Sequence, residues 1–213
     1  MNQHLDTVVE ETYAAEHVHR DDIASKMGMW LFLFTELLLF GGLFLLYAGY
    51  RFQYPDDFKV AAAEMNTFIG AINTIILLTS SLTVALSIAA LQRKQKKLTI
   101  SLLVFTLFCG LAFLINKYFE WGHEISNGIY PKGPTLENMS GGEVMYFGLY
   151  YTMTGLHGLH VIVGMIFISV VLGFVVKDKI TFDNYAKLEN AGLYWHLVDI
   201  IWIFLFPLFY LIH

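Results

Sequence analysis

Two acids and three histidines lie well inside long apolar stretches of this sequence, and they are its first candidates for chemistry. They are Glu36, His157, His160, His196 and Asp199. A charged group inside a membrane-spanning segment is costly, so acids and histidines found there usually face a bundle interior and serve proton relays or polar contacts. We therefore predict proton-linked or structural roles for these residues, and neither a catalytic set nor a metal site.

Glu36 lies near the middle of the apolar stretch from Met27 to Tyr50 and has no charged neighbour along its own helix face. The residues three and four positions away are Phe32, Leu33, Leu39 and Phe40. Within that helix only the Thr35 hydroxyl could pair with the carboxyl group. Two interpretations stay open: a proton-linked contact to another helix or subunit, and a protonated carboxyl group in a structural hydrogen bond.

His157 and His160 are three residues apart, so they share one face of a helix. Haem ligation would need a facing histidine, for which His196 is the well-placed candidate. The alternative, which we favour, is that the imidazoles form hydrogen bonds within a bundle whose glycines let the helices pack closely. These glycines are Gly155, Gly158 and Gly164.

Two further pairs have the same three-residue spacing. His196 and Asp199 can pair directly, either as a proton relay or as a neutral structural pair, and the pattern favours the structural role. Glu120 and His123 match the Glu-x-x-His spacing of di-iron helices, but such a site needs two copies and two more acids. The single copy predicts a solvated helix end, with Trp121 at the membrane interface.

The composition places these residues in an integral membrane protein. Hydrophobic residues make up 56% of the 213 positions and charged residues only 15%, whereas soluble domains carry about 25% charged residues. The net charge of -5 argues against a nucleic-acid partner. Cys109 is the one cysteine, so the sequence offers neither an internal disulfide nor a cysteine-based metal cluster.

The hydropathy pattern predicts an all-α bundle of five transmembrane helices that follows a polar segment at residues 1–26. The predicted spans are about 27–50, 66–91, 98–119, 143–176 and 189–212, within a transmembrane domain at 27–213. Most lysines and arginines fall in the N-terminal segment and in the second and fourth loops. The positive-inside rule therefore predicts a cytoplasmic N-terminus and a C-terminus outside.

As a set, four stretches resemble subunit III of the haem–copper respiratory oxidases. They are Lys26-Met27-Gly28 followed by Phe34-Thr35-Glu36-Leu37; Asn73-Thr74 with Ser80-Ser81; the stretch TGLHGLHVIVG at 154–164; and YWHLVDIIWIF at 194–204. The third and fourth are the most diagnostic together. The likeness keeps its order and spacing from about Glu10 to the C-terminus.

The resemblance implies an accessory subunit of a proton-pumping terminal oxidase in a bacterial plasma membrane, with electrons supplied by cytochrome c. It implies packing against subunit I, association with subunit II, and haem and copper bound by those partners rather than by this chain. The family holds phospholipid in a cleft and supports proton uptake. Glu36 falls on its intramembrane glutamate, and Glu10, His17 and Lys177 fall at lipid-binding positions. Two N-terminal helices of the seven-helix form are absent, and the assignments of Glu10 and His17 hold only if another subunit supplies that wall of the cleft.

Several alternatives remain at this point. A quinol oxidase subunit III or a homologue associated with nitric oxide reductase would share the motifs, although a glutamate at position 36 leans toward the cytochrome c branch. A self-contained metalloprotein would use Glu120, His123 and the bundle histidines. A small transporter built around Glu36 is disfavoured because the sequence has no inverted repeat.

Overall fold

The computed structural model describes residues 2–130, 133–182 and 184–212, with side chains described from residue 24 onward except at 137, and most of these residues lie in helices. Among these residues the only β pairing is an isolated antiparallel bridge between Thr181 and Asn184. The predicted all-α class is confirmed.

The described residues form six α-helices: α1 Asn2–Gln53, α2 Pro55–Ala63, α3 Thr67–Gln92, α4 Lys96–Ser126, α5 Gly141–Val176 and α6 Ala186–Tyr210. A 3-10 turn, Leu136–Asn138, precedes α5. Five segments are long and apolar enough to cross a membrane: Ala24–Gln53 of α1, and the helices α3, α4, α5 and α6. The predicted membrane bundle of five helices is confirmed.

The structure differs from the predicted limits at two places. Helix α1 starts within the polar segment predicted for residues 1–26 and continues through the first span. Helix α4 does not stop at 119 but runs to Ser126, because Glu120 and Glu124 turn inward and are buried. The chain divides into two compact units between Leu38 and Leu39, inside α1.

Local sequence explains where the helices begin. The Asn66 side chain accepts from the backbone N–H groups of Phe68 and Ile69, at 3.1 and 3.2 Å, and so caps α3. Ser140 and Glu143 form a reciprocal capping box at the start of α5. Pro55 stands in the first turn of α2, where its missing N–H costs nothing.

Helices α3 to α6 form the core of the second unit: α3 packs on α4 and α6, and α5 packs on the same two helices. Trp195 of α6 is fully buried at their centre. Its ring occupies a slot left by Gly110 and Gly164, where a Cβ atom would approach the ring to 2.9 Å. The indole Nε1–H donates to Ser80 at 3.0 Å, so one aromatic residue joins all four helices.

The part of α1 in the second unit contacts this core through aromatic side chains. Tyr47 meets the rings of Phe58 and Phe209 edge-on, with centroids 5.4 and 5.2 Å apart. Its hydroxyl donates to the carbonyl of Leu208 on α6. Helix α2 is attached to α5 by a hydrogen bond from the Gly142 N–H to Asp57, at 3.2 Å.

Candidate functional site

A buried ion pair with two tyrosines around it lies in the core. Lys117 and Glu120 lie one turn apart on α4, with Nζ 3.1 Å from Oε1. Tyr150 of α5 and Tyr210 of α6 both donate their hydroxyls to that oxygen. Lys117 in turn donates to the two hydroxyls, at 3.2 and 2.6 Å respectively. We call these four residues the ion-pair cluster.

Aromatic rings surround the lysine of this cluster. The Lys117 Nζ atom lies 5.0 Å from the ring centroids of both Tyr150 and Trp202, within cation–π range. Only 7% of Lys117 and 4% of Glu120 is exposed. A buried charge pair is tolerated only when partners replace its hydration, and here tyrosines from two other helices supply them. The arrangement can hold a charge pair in the core and fix three helices together.

The Glu120–His123 pair does not form a site. Glu120 points into the ion-pair cluster, whereas His123 is exposed and its Nε2 lies 3.3 Å from the Asn127 amide. The predicted solvated helix end is therefore wrong for Glu120, because Lys117 and the tyrosines provide better partners than water at the interface. Trp121 is half-buried and meets the Tyr151 ring edge-on at 5.5 Å.

The two histidines of α5 have different surroundings. His157 is fully buried, stacks on Trp202 with centroids 5.3 Å apart, and meets Phe113 edge-on. Neither of its ring nitrogens has a hydrogen-bond partner among the described residues. His160 is half-buried, and its Nδ1 lies 2.7 Å from the Leu156 carbonyl of its own helix. Although His157 and His160 share one face of α5, their ring nitrogens therefore do not converge on a common point.

The predicted contact between His196 and Asp199 is wrong. The Nδ1 atom of His196 lies 2.6 Å from the Ser81 hydroxyl of α3, so a residue on the facing helix takes the place expected of Asp199. Asp199 is 2% exposed, and neither of its carboxyl oxygens makes a hydrogen bond of ordinary geometry with a described residue, although the Ser81 hydroxyl lies close enough to interact with the carboxyl group. A carboxylate ion buried in this way would be expensive, since one poorly placed hydroxyl does not replace its hydration.

These histidines do not fit a haem. His157 faces packed aromatic rings, His160 faces its own backbone, and His196 faces a serine. Within the described part of the chain, no group of three or more His, Cys, Asp or Glu residues could hold a metal ion. Of the glycines predicted to allow close packing, Gly164 lies directly against the Trp195 ring, as expected. Gly158 does not, since a Cβ atom there would meet open space.

The remaining predicted residues lie in several places. Glu36 is half-buried in the first unit, and the neighbouring Thr35 hydroxyl donates to the Phe32 carbonyl at 2.7 Å, so its hydrogen is not offered to Glu36. Lys177 is the exposed C-cap of α5. The side chains of Glu10 and His17 lie outside the described residues.

Sequence reasoning missed Lys117, Tyr150 and Tyr210. One signal was available, since Lys117 and Glu120 have the spacing of a helical ion pair inside an apolar run. The tyrosines gave no comparable signal because they come from separate helices, far apart in the chain.

A second group of acids lies where the bundle meets the loops. Glu64 follows α2 and is exposed, and Glu143 lies in the first turn of α5. Partial burial, and to a lesser extent repulsion from Glu143, raises the pKa of the Glu64 carboxyl above its ordinary value.

Comparison with known proteins places the whole chain in one group. Residues 1–213 match the family described as cytochrome c oxidase subunit III. A cytochrome c oxidase subunit 3 of Alkalihalophilus pseudofirmus is 33% identical over 92% of this chain and 91% of its own length. A probable quinol oxidase subunit 3 of Staphylococcus saprophyticus is 30% identical over 88% of this chain and 89% of its own length. A heme-copper oxidase subunit I+III of Aeropyrum pernix is 32% identical over 88% of this chain, which spans only 22% of that protein.

Proposed function

Because this chain belongs to the cytochrome c oxidase subunit III family, we propose that it is an accessory subunit of a proton-pumping terminal oxidase that reduces O2 to water with electrons from cytochrome c. The match over all 213 residues carries this proposal. It confirms the resemblance predicted from the motifs, and with the five apolar helices it makes the chain a multi-pass membrane subunit of the haem–copper oxidase family.

We propose that the redox centres belong to partner subunits, with haem and copper held by subunits I and II. The divergent histidines of the bundle support this assignment, since each faces a different neighbour. The role of this chain is then to stabilise subunit I and support proton uptake. The whole complex, rather than the chain alone, would receive electrons from cytochrome c.

Subunit I is the proposed main contact, and Glu36 would lie at or near it. One relative is named as subunit I+III, so in that protein both subunits occur in one chain. Large apolar side chains on both sides of Glu36 are exposed in the described structure, including Phe34 and Leu37 at 57% and 53%. Lipid or another membrane helix must cover such a surface.

Lipid binding is the second part of the proposed role. Glu10, His17 and Lys177 would contact phospholipid headgroups at the cytoplasmic surface of a bacterial plasma membrane, with the N-terminus inside. The exposed position of Lys177 at the end of α5 supports its share of this role.

Co-purification tests the proposal directly. A tagged full chain should bring a haem-bearing partner and a copper-bearing partner out of the membrane, with an oxidase haem spectrum and oxygen consumption. Glu36→Ala should leave that spectrum intact while shortening the period of sustained turnover, and Phe108→Ala, on an exposed face of α4, serves as the control. Loss of haem from the complex with Glu36→Ala, or stoichiometric iron in the chain purified alone, would contradict the accessory role.

A quinol oxidase subunit III is the second candidate, and the similarity to the Staphylococcus saprophyticus protein favours it. The electron donor separates the two. Oxidation of reduced cytochrome c by the purified complex supports the first candidate, and oxidation of a quinol without it supports the second. A dinuclear copper motif in the co-purified subunit II also selects the cytochrome c form.

A further inference from the structure

Five oxidisable aromatic side chains form a continuous row through the second unit, from the α4–α5 surface to the core. In order they are Trp121, Tyr151, Tyr150, Tyr210 and Trp202, and successive ring centroids lie 5.5, 5.3, 6.4 and 6.3 Å apart. At these separations each ring is in direct contact with the next. Phenol and indole are among the side chains that lose one electron most easily. We call these five residues the aromatic row.

The two ends of the row differ in their access to the membrane. Trp202 is fully buried. Trp121 is half-buried in the wall of a cavity of about 350 Å³ between α4 and α5. Tyr118 and Leu159 line the same cavity and are 76% and 55% exposed. A reactant in the membrane can therefore approach Trp121 but not Trp202.

The tyrosines at the inner part of the row have a base within hydrogen-bond distance. Tyr150 and Tyr210 both donate their hydroxyls to the same carboxylate oxygen of Glu120. A phenol is oxidised more easily when such a base takes its proton as the electron leaves. The Tyr151 hydroxyl donates instead to the Ile129 carbonyl, at 2.6 Å, and an amide carbonyl is too weak a base for this purpose.

Neither tryptophan is suited to hold the positive charge that an electron leaves behind. The Trp121 indole N–H has no hydrogen-bond partner among the described residues, so no base takes its proton. The Trp202 ring lies 5.0 Å from the Lys117 ammonium, which repels a positive charge on the indole. The tyrosines of the ion-pair cluster are therefore the most stable place in the row for an oxidising equivalent.

We propose that the aromatic row is a one-electron relay that ends in a neutral tyrosyl radical at the ion-pair cluster. An oxygen-centred radical at the α4–α5 surface takes one electron from Trp121 and becomes the corresponding anion. Tyr150 or Tyr210 then returns one electron to the Trp121 radical cation through the Tyr151 ring that lies between them. The oxidised phenol releases its proton along its hydrogen bond to Glu120, whose carboxylate becomes a neutral acid.

The relay would draw an oxidising equivalent away from the membrane face and hold it where membrane reactants cannot reach. The oxidant in this scheme arises beside an oxygen-reducing enzyme, so its source rests on the proposed function. The relay itself depends only on residues of this chain.

Photochemical oxidation of the full-length chain tests the relay without a partner subunit. A ruthenium(II) tris-bipyridine group is attached to the Tyr118→Cys variant, because Tyr118 is exposed and lines the same cavity as Trp121. Cys109→Ala removes the native thiol. A flash with a cobalt(III) electron acceptor then generates ruthenium(III) beside Trp121. We expect the absorption of a tryptophanyl radical to be replaced by that of a tyrosyl radical, more slowly in D2O because a proton moves.

Three variants assign the tyrosyl signal, each made in this ruthenium-labelled chain. Tyr150→Phe/Tyr210→Phe should lose the long-lived tyrosyl signal and leave the oxidising equivalent on Trp121. Glu120→Gln keeps a hydrogen-bond acceptor but removes the base, so it should lose most of the tyrosyl yield and the D2O effect. Tyr146→Phe is the matched control, since Tyr146 is equally buried one turn from Tyr150 and donates to the Phe209 carbonyl, at 2.5 Å. It should keep the signal.

A tyrosyl signal that survives in Tyr150→Phe/Tyr210→Phe would overturn the proposal, as would its equal loss in Tyr146→Phe. A radical that stays on Trp121 in the ruthenium-labelled chain without these variants would also overturn it. The measurement needs no haem-bearing partner, so its result is separate from that of the co-purification experiment.

Discussion

The ion-pair cluster and two separate residues, His157 and Asp199, are all buried, but their polar atoms are stabilised differently. The four residues of the cluster bond to one another across three helices, although the second oxygen of Glu120 has no partner. No side-chain polar atom of His157 or Asp199 makes a hydrogen bond of ordinary geometry within the described structure. Burial alone therefore does not identify a functional group, and the partners of a buried group must be examined as well.

The comparison suggests different purposes for the two regions. A charge pair whose partners are in place fixes the positions of the helices. Removing one member leaves the other charge buried in an apolar core without a counter-charge. An unsatisfied buried acid contributes nothing to the stability of the bundle through hydrogen bonds. Its presence is therefore better explained by a role in the assembled complex than by the fold of this chain. We therefore expect substitutions in the cluster to act mainly on stability, and those at Asp199 to act mainly on the complex.

The largest expected effect is at the cluster. Lys117→Met should lower the free energy of unfolding by about 3–5 kcal/mol because it leaves Glu120 buried without its cation. The double variant Lys117→Met/Glu120→Leu should recover most of that loss, since no charge remains. Thermal unfolding of the purified chain, followed by circular dichroism, measures both. A double variant no more stable than Lys117→Met would show that the pair does not act as a unit.

A second, smaller effect is expected at the slot that holds Trp195. Gly164→Ala should cost about 1–3 kcal/mol, because the new Cβ would lie 2.9 Å from the buried indole, whose position is fixed by Ser80. Gly158→Ala on the same helix is the matched control, since its Cβ meets open space, and it should leave stability equal or slightly higher. Equal melting temperatures for the two variants would contradict this account of the slot.

Asp199→Leu should change the stability of the chain by less than about 1 kcal/mol, because no hydrogen bond of ordinary geometry is lost, only a weak contact with Ser81, and a carboxyl group is removed from the core. The measurement is again thermal unfolding, with Lys117→Met as the reference. A loss as large as that of Lys117→Met would mean that Asp199 has a structural partner, and the contrast between the two regions would fail.

The smallest effect concerns pH at the water-facing acids. The raised pKa of Glu64 means that the folded state binds its proton more tightly than the unfolded state does. The native chain therefore loses a small amount of stability as pH rises from the ordinary carboxyl pKa through the raised one. Glu64→Gln should raise the melting temperature at pH 7.5 and leave it unchanged near pH 4. A difference of the same size at both values would rule out titration of Glu64 as the cause.

Much of the architecture could be predicted from hydropathy and local signals. The apolar runs identified five membrane helices. Pro55 and the Ser140–Glu143 capping box are local signals that mark the starts of α2 and α5. The end of α4 could not be placed this way, because Glu120 and Glu124 look like surface residues until their burial is known. A groove between α1, α2 and α6 could not be predicted either, since its lining residues come from three separate helices.

The sequence by itself determined which groups are costly inside a membrane, how many helices can span it, and the family to which the chain belongs. These properties depend on residue type and on spacing along one helix. Only the tertiary structure decided which costly groups are satisfied: Glu120 by a lysine and two tyrosines, His196 by Ser81, and Asp199 by no hydrogen bond of ordinary geometry with a described residue. The reason is physical, since the partner of a buried polar group generally comes from another helix, and helical spacing carries no information about which helix will face it.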